Sequence, residues 1–292
     1  MLKYFLTLAV FFSISFPFPY DSHIGNDEKT EVGYMQHPAL TGYTDTPKEG
    51  RLRIDYGWFL PSSISNIYNQ NGEVQSISSD FDKKSSAFQL KMDYFGYRKS
   101  GITINLSGIK TDYSAESLTD LSLSAVGASA YWIWGDKFTF PIYRIKTETG
   151  IISSGGEASA TASASIDYYI TDSQMLSGSI GLNQLSAMTT ANNDSSLISY
   201  APISLNAKFI HNFSENIAVS GMYRNISYSN TPDELNINIS SIQIAAGIQA
   251  TKLEYGYYHF NVGLKPSIEF PLNGKNHGKL NLISLSFFLD FI

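Results

Sequence analysis

From Tyr258 to Phe270 the chain alternates without a break. Tyr258, Phe260, Val262, Leu264, Pro266, Ile268 and Phe270 fall on one side, and His259, Asn261, Gly263, Lys265, Ser267 and Glu269 on the other. A period of two marks a strand whose two faces meet different surroundings. The pattern recurs with smaller residues, where Ala158, Ala160, Ala162, Ala164, Ile166, Tyr168 and Ile170 oppose Ser159, Thr161, Ser163, Ser165, Asp167 and Tyr169. It opens the alternating region as well, with Leu52, Ile54, Tyr56, Trp58 and Leu60 against Arg51, Arg53, Asp55, Gly57 and Phe59.

Followed along the sequence, this period predicts strands over 51–61, 87–97, 101–112, 120–134, 137–149, 157–171, 174–189, 198–213, 216–229, 236–253, 256–272 and 278–292, twelve in all. The phase slips at Ile142 to Tyr143, Asn183 to Leu185 and Ser240 to Ser241, as it does at β-bulges. Connections alternate in length. Short turns are expected at 98–100, 135–136, 171–173, 212–216 and near Glu254, and longer polar loops at 62–86, 111–119, 150–157, 189–197, 229–235 and 273–277. Asn71-Gly72 in the first long loop suits a tight primed hairpin turn.

A soluble β-sandwich also alternates, but its exposed face is usually well charged. Here only 16% of residues are charged, and the polar face is mainly Ser, Thr, Asn and Gly. The strands match or exceed the roughly 9–11 residues that cross a bilayer at a tilt. Away from strand ends, where Lys110 and Lys252 sit, the apolar face carries no charge. A Lys or Arg on a lipid-facing strand at mid-membrane costs about 2–4 kcal/mol, so that absence is what lipid would select. The predicted fold is therefore all-β: an antiparallel transmembrane up-and-down β-barrel of about twelve strands, with short periplasmic turns and longer extracellular loops. Tyr131, Trp132 and Trp134, and Tyr56 with Trp58, are candidates for aromatic girdles at the membrane interfaces.

The N-terminus reads as an export signal, with Lys3 as the positive region, an apolar run over 4–12 and small residues Ser13 and Ser15 before cleavage after Ser15. The expected organisation is a signal peptide over 1–15, a periplasmic or luminal leader over 16–50, and the barrel over 51–292. The last strand alternates through Ile283, Leu285, Phe287, Leu289 and Phe291 and closes on Phe291-Ile292. This resembles the terminal-strand signature of bacterial outer-membrane barrels, although the phenylalanine is penultimate. The resemblance implies a bacterial outer-membrane location, contact with outer-membrane lipid, and reading of the last strand by the barrel-insertion machinery. The stretches from His37 to Tyr43 and from Thr46 to Gly57 resemble the approach to the first strand in transporters of the fatty-acid and aromatic-hydrocarbon channel superfamily, including the phenol-degradation pathway type. Where fatty-acid transporters carry Asn-Pro-Ala in a hatch, this chain has His37, and those barrels usually have fourteen strands. The resemblance implies transport of small, poorly soluble molecules.

The strand phase turns Arg53, Lys91, Arg144, Lys146, Lys208, Arg224 and Lys265 inward, with Asp55, Asp93, Glu148, Asp167, Glu269, Asp290 and His259. The signs nearly balance, which disfavours a one-signed selectivity ladder. Two arrangements fit: opposed charges that orient a passing solute, or groups that pair with one another inside a filled barrel. Catalytic chemistry is poorly supplied. With no cysteine there is no thiol nucleophile, cysteine-ligated zinc or disulfide. None of the histidines His23, His37, His211, His259 and His277 begins the His-x-Ser motif of outer-membrane phospholipases. The segment from Gly178 to Gly181 lacks the nucleophile-elbow spacing. Asp80 and Asp82 lack a calcium-loop spacing, and no glycine-rich phosphate loop occurs. A net charge of −6 disfavours nucleic acid as a partner. The expectation is a non-enzymatic channel or transporter for passive passage of small solutes, without cofactor or metal. The competing expectation is a non-conducting structural or surface-interaction barrel.

Overall fold

The structure is a computed structural model that describes residues 52–76, 83–96, 100–113, 121–134, 143–154, 157–171, 173–182, 201–214, 216–229, 236–255 and 258–291. The proposed signal and leader segments, 1–50, lie outside the described residues. In chain order the strands are β1 (Leu52–Ile64), β2 (Asn66–Tyr68), β3 (Val74–Ser76), β4 (Lys83–Phe95), β5 (Ser100–Tyr113), β6 (Leu121–Trp134), β7 (Tyr143–Ser154) and β8 (Glu157–Thr171). They continue with β9 (Gln174–Leu182), β10 (Ala201–Asn212), β11 (Ile217–Ser229), β12 (Ile237–Tyr255), β13 (Tyr258–Lys275), β14 (His277–Lys279) and β15 (Leu282–Phe291).

Twelve of these close into one antiparallel barrel, in the order β1, β15, β13, β12, β11, β10, β9, β8, β7, β6, β5, β4. Closure comes from β1 pairing with β15, from Leu52 opposite Phe291 to Phe59 opposite Ser284. A closed ladder leaves no unpaired edge, the condition for backbone polar groups to sit in lipid. The apolar face of each strand points away from the barrel axis. Ile151, Ile166, Ile180, Leu205, Ile244 and Phe287 are all exposed large apolar side chains on the outer wall. Arg53, Asp93, Arg144, Asp167, Glu269 and Asp290 are buried on the inner one. This is the reverse of a water-soluble core, and it is the distribution that a lipid exterior favours.

Several boundaries differ from those expected from the sequence. β7 is described from Tyr143, and the expected turn at 135–136 and strand start over 137–142 lie outside the described residues. β7 runs to Ser154 and β8 begins at Glu157, so 150–154 and 157, expected in a long loop, are strand, and 155–156 lie outside the described residues. β9 ends at Leu182, and the expected extension to 189 and the 189–197 loop lie outside the described residues. Where β4 gives way to β5, Gly96 N–H donates to Ser100 O at 2.8 Å, and at the end of β10 Asn212 N–H donates to the carbonyl oxygen of Ser173, beside the start of β9, at 2.8 Å.

The first long connection does form a hairpin, but the turn differs from the expected two-residue one. β2 and β3 are joined through residues 69–73, where Asn69 O accepts from Gly72 N at 3.0 Å and Asn69 Oδ1 accepts from Asn71 N and Glu73 N, each at 2.9 Å. Gly72 has φ 81°, whereas Asn71 keeps a negative φ, so a type I′ turn is excluded. The hairpin also pairs with β14, making a three-stranded sheet in the order β14, β2, β3. The segment 273–277, expected as a loop, instead completes β13 and opens β14. The chain's first and last long connections are thereby joined. Tyr68 is buried against Gly274, where a Cβ would lie 2.7 Å from its Cδ2.

The slip at Ser240 to Ser241 has a chemical cause and a geometric one. Across this point β12 keeps one phase, with Ile237, Ile239, Ser241, Gln243 and Ala245 inward. Near its long-loop end the chemistry inverts, so Ile226, Ile237 and Ile239 form an inner apolar cluster. On the outer side Asn225 donates to Asn238 at 3.1 Å and to Ser240 at 2.8 Å. The bulge belongs to the partner strand, because Ser240 pairs with Asn273 while Ser241 pairs with Pro271. The polar outer ladder places this end of β11 and β12 beyond the apolar band. Aromatic placement differs in one residue: Trp132 and Trp134 face outward, with Tyr143, Tyr168 and Phe213 exposed at the same short-turn end, but Tyr131 faces inward. Tyr56 and Trp58 face outward from the body of β1 rather than from its end.

Candidate functional site

The inner wall is layered along the axis. Near the short-turn end lie two apolar clusters, one of Phe95, Tyr131 and Ile133, the other of Met175, Ile210, Ala218 and Ala245. Near the long-loop end lies the cluster of Ile226, Ile237 and Ile239. Between them runs a belt of charged and hydroxyl side chains.

Alternation places the belt residues, because inward positions on neighbouring strands meet in register. Arg53 opposes Asp290 on one side and Asp93 on the other, and Asp55 opposes Phe288 and Lys91. Arg53 donates through Nε and Nη2 to Asp55 Oδ2 and Oδ1 at 2.7 and 2.6 Å, a bidentate fork. Its guanidinium carbon lies 4.5 Å from the centroid of the Phe288 ring. Phe288 is itself seated on Gly263, where a Cβ would stand 2.2 Å from its Cε1. Only an inward glycine leaves room for this stack.

Four further ion pairs lie in the belt among the described residues. Lys91 and Asp93 approach to 3.5 Å, Lys146 and Glu148 to 3.0 Å, Arg144 and Asp167 to 3.8 Å, and Arg224 and Glu269 to 3.6 Å. Three of the five pairs join residues i and i+2 of one strand, which share a face. Arg144 to Asp167 links adjacent strands in register, and Arg224 to Glu269 spans two strands of the ring with β12 between them. Hydroxyls reach two of the carboxylates: Ser129 donates to Glu148 and Ser241 to Glu269. Asn206 donates to Ser179 at 3.0 Å, and Ser267 meets Ser284 at 2.5 Å. Lys146 lies 4.1 Å from the centre of the Tyr131 ring on the inner face, a cation–π contact.

Of the residues named from sequence, Arg53, Asp55, Lys91, Asp93, Arg144, Lys146, Glu148, Asp167, Lys208, Arg224, Lys265, Glu269 and Asp290 lie on the inner face. His259 is in β13 opposite Glu254, with its side chain outside the described set. The belt does not gather into a catalytic constellation. Among the described residues no cluster of three or more His, Asp or Glu side chains is arranged to hold a metal ion. The residues that sequence reading passed over are the inner aromatics, Phe288, Tyr131 and Phe95. Their parity was visible, since Phe288 falls between the outward Phe287 and Leu289, but an inward aromatic is hidden in a run where both neighbours are apolar.

A closed antiparallel barrel with an apolar exterior and a polar, charged interior is the architecture of outer-membrane β-barrel proteins. A solved structure shares it. An outer-membrane channel from Pseudomonas putida F1 is 12% identical, aligned over 86% of this chain and 98% of its own, with a TM-score of 0.59. The translocator domain of the autotransporter NalP from Neisseria meningitidis is 10% identical over 85% of this chain and 90% of its own, with a TM-score of 0.44. A deletion mutant of the monoaromatic hydrocarbon channel TodX is 9% identical over 88% and 93%, with a TM-score of 0.42. The first likeness shows a common fold, and the two weaker ones add nothing to it. No protein-family model and no curated protein sequence matches the chain.

Proposed function

We propose that this protein is an outer-membrane channel or transporter for the passive passage of small solutes, poorly soluble ones included. The observation that carries the reading is the layered inner wall: a continuous belt of charge and hydroxyl groups between two apolar zones, inside a wall whose own hydrogen bonds are closed. Such a lumen offers a permeant polar partners at mid-depth and apolar contact before and after them. In this reading the segment over 1–15 exports the chain, and the last strand is the handle for the insertion machinery.

One observation favours the alternative of a non-conducting barrel. Five ion pairs join much of the belt's charge, and Glu269 and Asp290 are 2% and 0% exposed, which is the condition of side chains that fill a barrel. Planar-bilayer recording of purified protein separates the two. The channel reading expects discrete conductance steps of modest ion selectivity, because the belt is of mixed sign. A silent bilayer, with folding verified by a heat-dependent gel shift, would leave the structural reading standing.

A further inference from the structure

We propose that Arg53, Asp55, Lys91 and Asp93 form an exchangeable charge square on the inner wall, in which Arg53 passes between Asp55 of its own strand and Asp93 of the next. Three observations carry the exchange.

First, the register builds a square of alternating sign. Arg53 opposes Asp93, and Asp55 opposes Lys91, across the ladder between β1 and β4. Each charge therefore has an opposite charge at two corners, one two residues along its own strand and one directly across. Two complete sets of ion pairs are open to the same four groups. The structure shows the along-strand set, with Arg53 and Asp55 at 2.6 Å and Lys91 and Asp93 at 3.5 Å.

Second, this set leaves unmet the two groups that the cross-strand set would join. Arg53 Nη1 and Asp93 Oδ1 are both buried without a hydrogen-bond partner, on residues that stand directly opposite one another. The Thr103 hydroxyl, opposite Asp93 on β5, is likewise without a partner and so does not reach that oxygen. Asp290, which flanks Arg53 from β15, is wholly buried and has contacts of its own. A buried donor and a buried acceptor left unmet on facing residues carry a cost that pairing them removes.

Third, burial balances the two sets. The side chains of Arg53 and Asp93 are 3% and 6% exposed, whereas those of Asp55 and Lys91 are 27% and 30% exposed. The along-strand set joins each deep group to an accessible one. The cross-strand set joins the deep pair, where a charged hydrogen bond is strongest, and leaves the accessible pair where water shares its solvation. What Arg53 gives up at Asp55 it recovers at Asp93. The Phe288 ring, 4.5 Å from the guanidinium carbon, does not oppose the change, because a ring face makes no claim on the N–H edges. The exchange turns Lys91 from Asp93 to Asp55 and so relocates an accessible positive charge within the lumen. In a conducting barrel that gives a passing solute two electrostatic settings. This use rests on the channel reading, and the exchange itself does not.

NMR of the arginine side chains in the full-length, detergent-folded protein, labelled with nitrogen-15 at arginine, tests the square. The Arg53 Nε–H signal is assigned by its loss in Arg53→Lys. Two exchanging environments are expected in the parent, seen as a doubled signal or as relaxation dispersion. Asp93→Asn should leave only the environment paired to Asp55, and Asp55→Asn only the other. Stability supplies a second readout. Because Arg53 has a second carboxylate at hand, each single variant should lower the gel-shift temperature modestly, and the double variant by more than the two losses added. If the double variant fails to fold, the NMR of the single variants carries the test. A single Arg53 signal without dispersion in the parent, exchange that persists unchanged in Asp93→Asn, or losses that simply add would each overturn the square. Exchange in a barrel silent in the planar bilayer would sink the channel reading and leave the square, whereas conductance with a static Arg53 would do the reverse.

Discussion

Arg224 on β11 passes over the intervening strand β12 to meet Glu269 on β13, Nη1 to Oε2 at 3.6 Å, while Ser241 of β12 donates to the other carboxylate oxygen. Three consecutive strands are thus tied on their inner face through one carboxylate that is 2% exposed. A buried ion pair is costly to break because the surviving charge has lost its compensation, typically by about 3–5 kcal/mol. Glu269→Ala should lower the temperature of the folded-to-unfolded gel shift markedly, whereas Ser241→Ala removes a single hydrogen bond and should cost about 1.5–3 kcal/mol. Equal shifts for the two variants would remove Arg224 from the account.

The inside and outside of the wall are tested by adjacent residues on β12. Ile244 is 53% exposed on the outer face, and Gln243 points into the lumen beside Ser267. Ile244→Lys should impair folding into lipid vesicles by about 2–4 kcal/mol. Gln243→Lys should insert with nearly parental efficiency, because its charge enters a polar lumen. Identical folding yields would reverse or void the face assignment.

Tyr131 lies inside rather than in the aromatic girdle because Gly101 leaves space for it. A Cβ at Gly101 would stand 2.3 Å from Tyr131 Cζ and 2.5 Å from the Tyr94 carbonyl oxygen. Gly101→Ala is expected to destabilise the barrel by about 1–3 kcal/mol through overpacking. The loss should shrink when combined with Tyr131→Ala, and a double-mutant cycle of gel-shift temperatures measures the coupling.

Burial raises the Tyr68 phenol above its ordinary pKa of 10.0, since the charged form would be held away from water. The sign follows from linkage. With the folded-state pKa raised, Tyr68 contributes its full share to the small sheet below pH 10, and that share is lost as pH rises through and beyond that value. The absorbance difference at tyrosinate wavelengths between the parent and Tyr68→Phe isolates this one group. Its midpoint should lie above 10, and a midpoint at or below 10 would mean that the ring is not buried against Gly274.

Much of the barrel was legible in the residues themselves. The alternation from Tyr258 to Phe270 reads directly as wall and lumen because a strand has only two faces, and a one-residue error would reverse every assignment. For the same reason the charged belt could be named from Arg53 to Asp290 before any contact was known. Strand ends were read less well where chemistry and geometry part company. The inner Ile226, Ile237 and Ile239 and the outer Asn225 and Asn238 invert the pattern beyond the apolar band, so Ser240 to Ser241 looked like a change of phase when only the surroundings had changed.

The sequence by itself determined which side chains face lipid and which face the lumen, because that depends only on local parity and the energetics of burial. The tertiary structure alone decided which of the inward groups meet. Arg224 finds Glu269 across a strand, Phe288 lies between Gly263 and Arg53, and β14 joins a hairpin formed some two hundred residues earlier. Those relationships depend on register and on ring closure. Both are set by the pairing of strands distant in the chain, which no local pattern encodes.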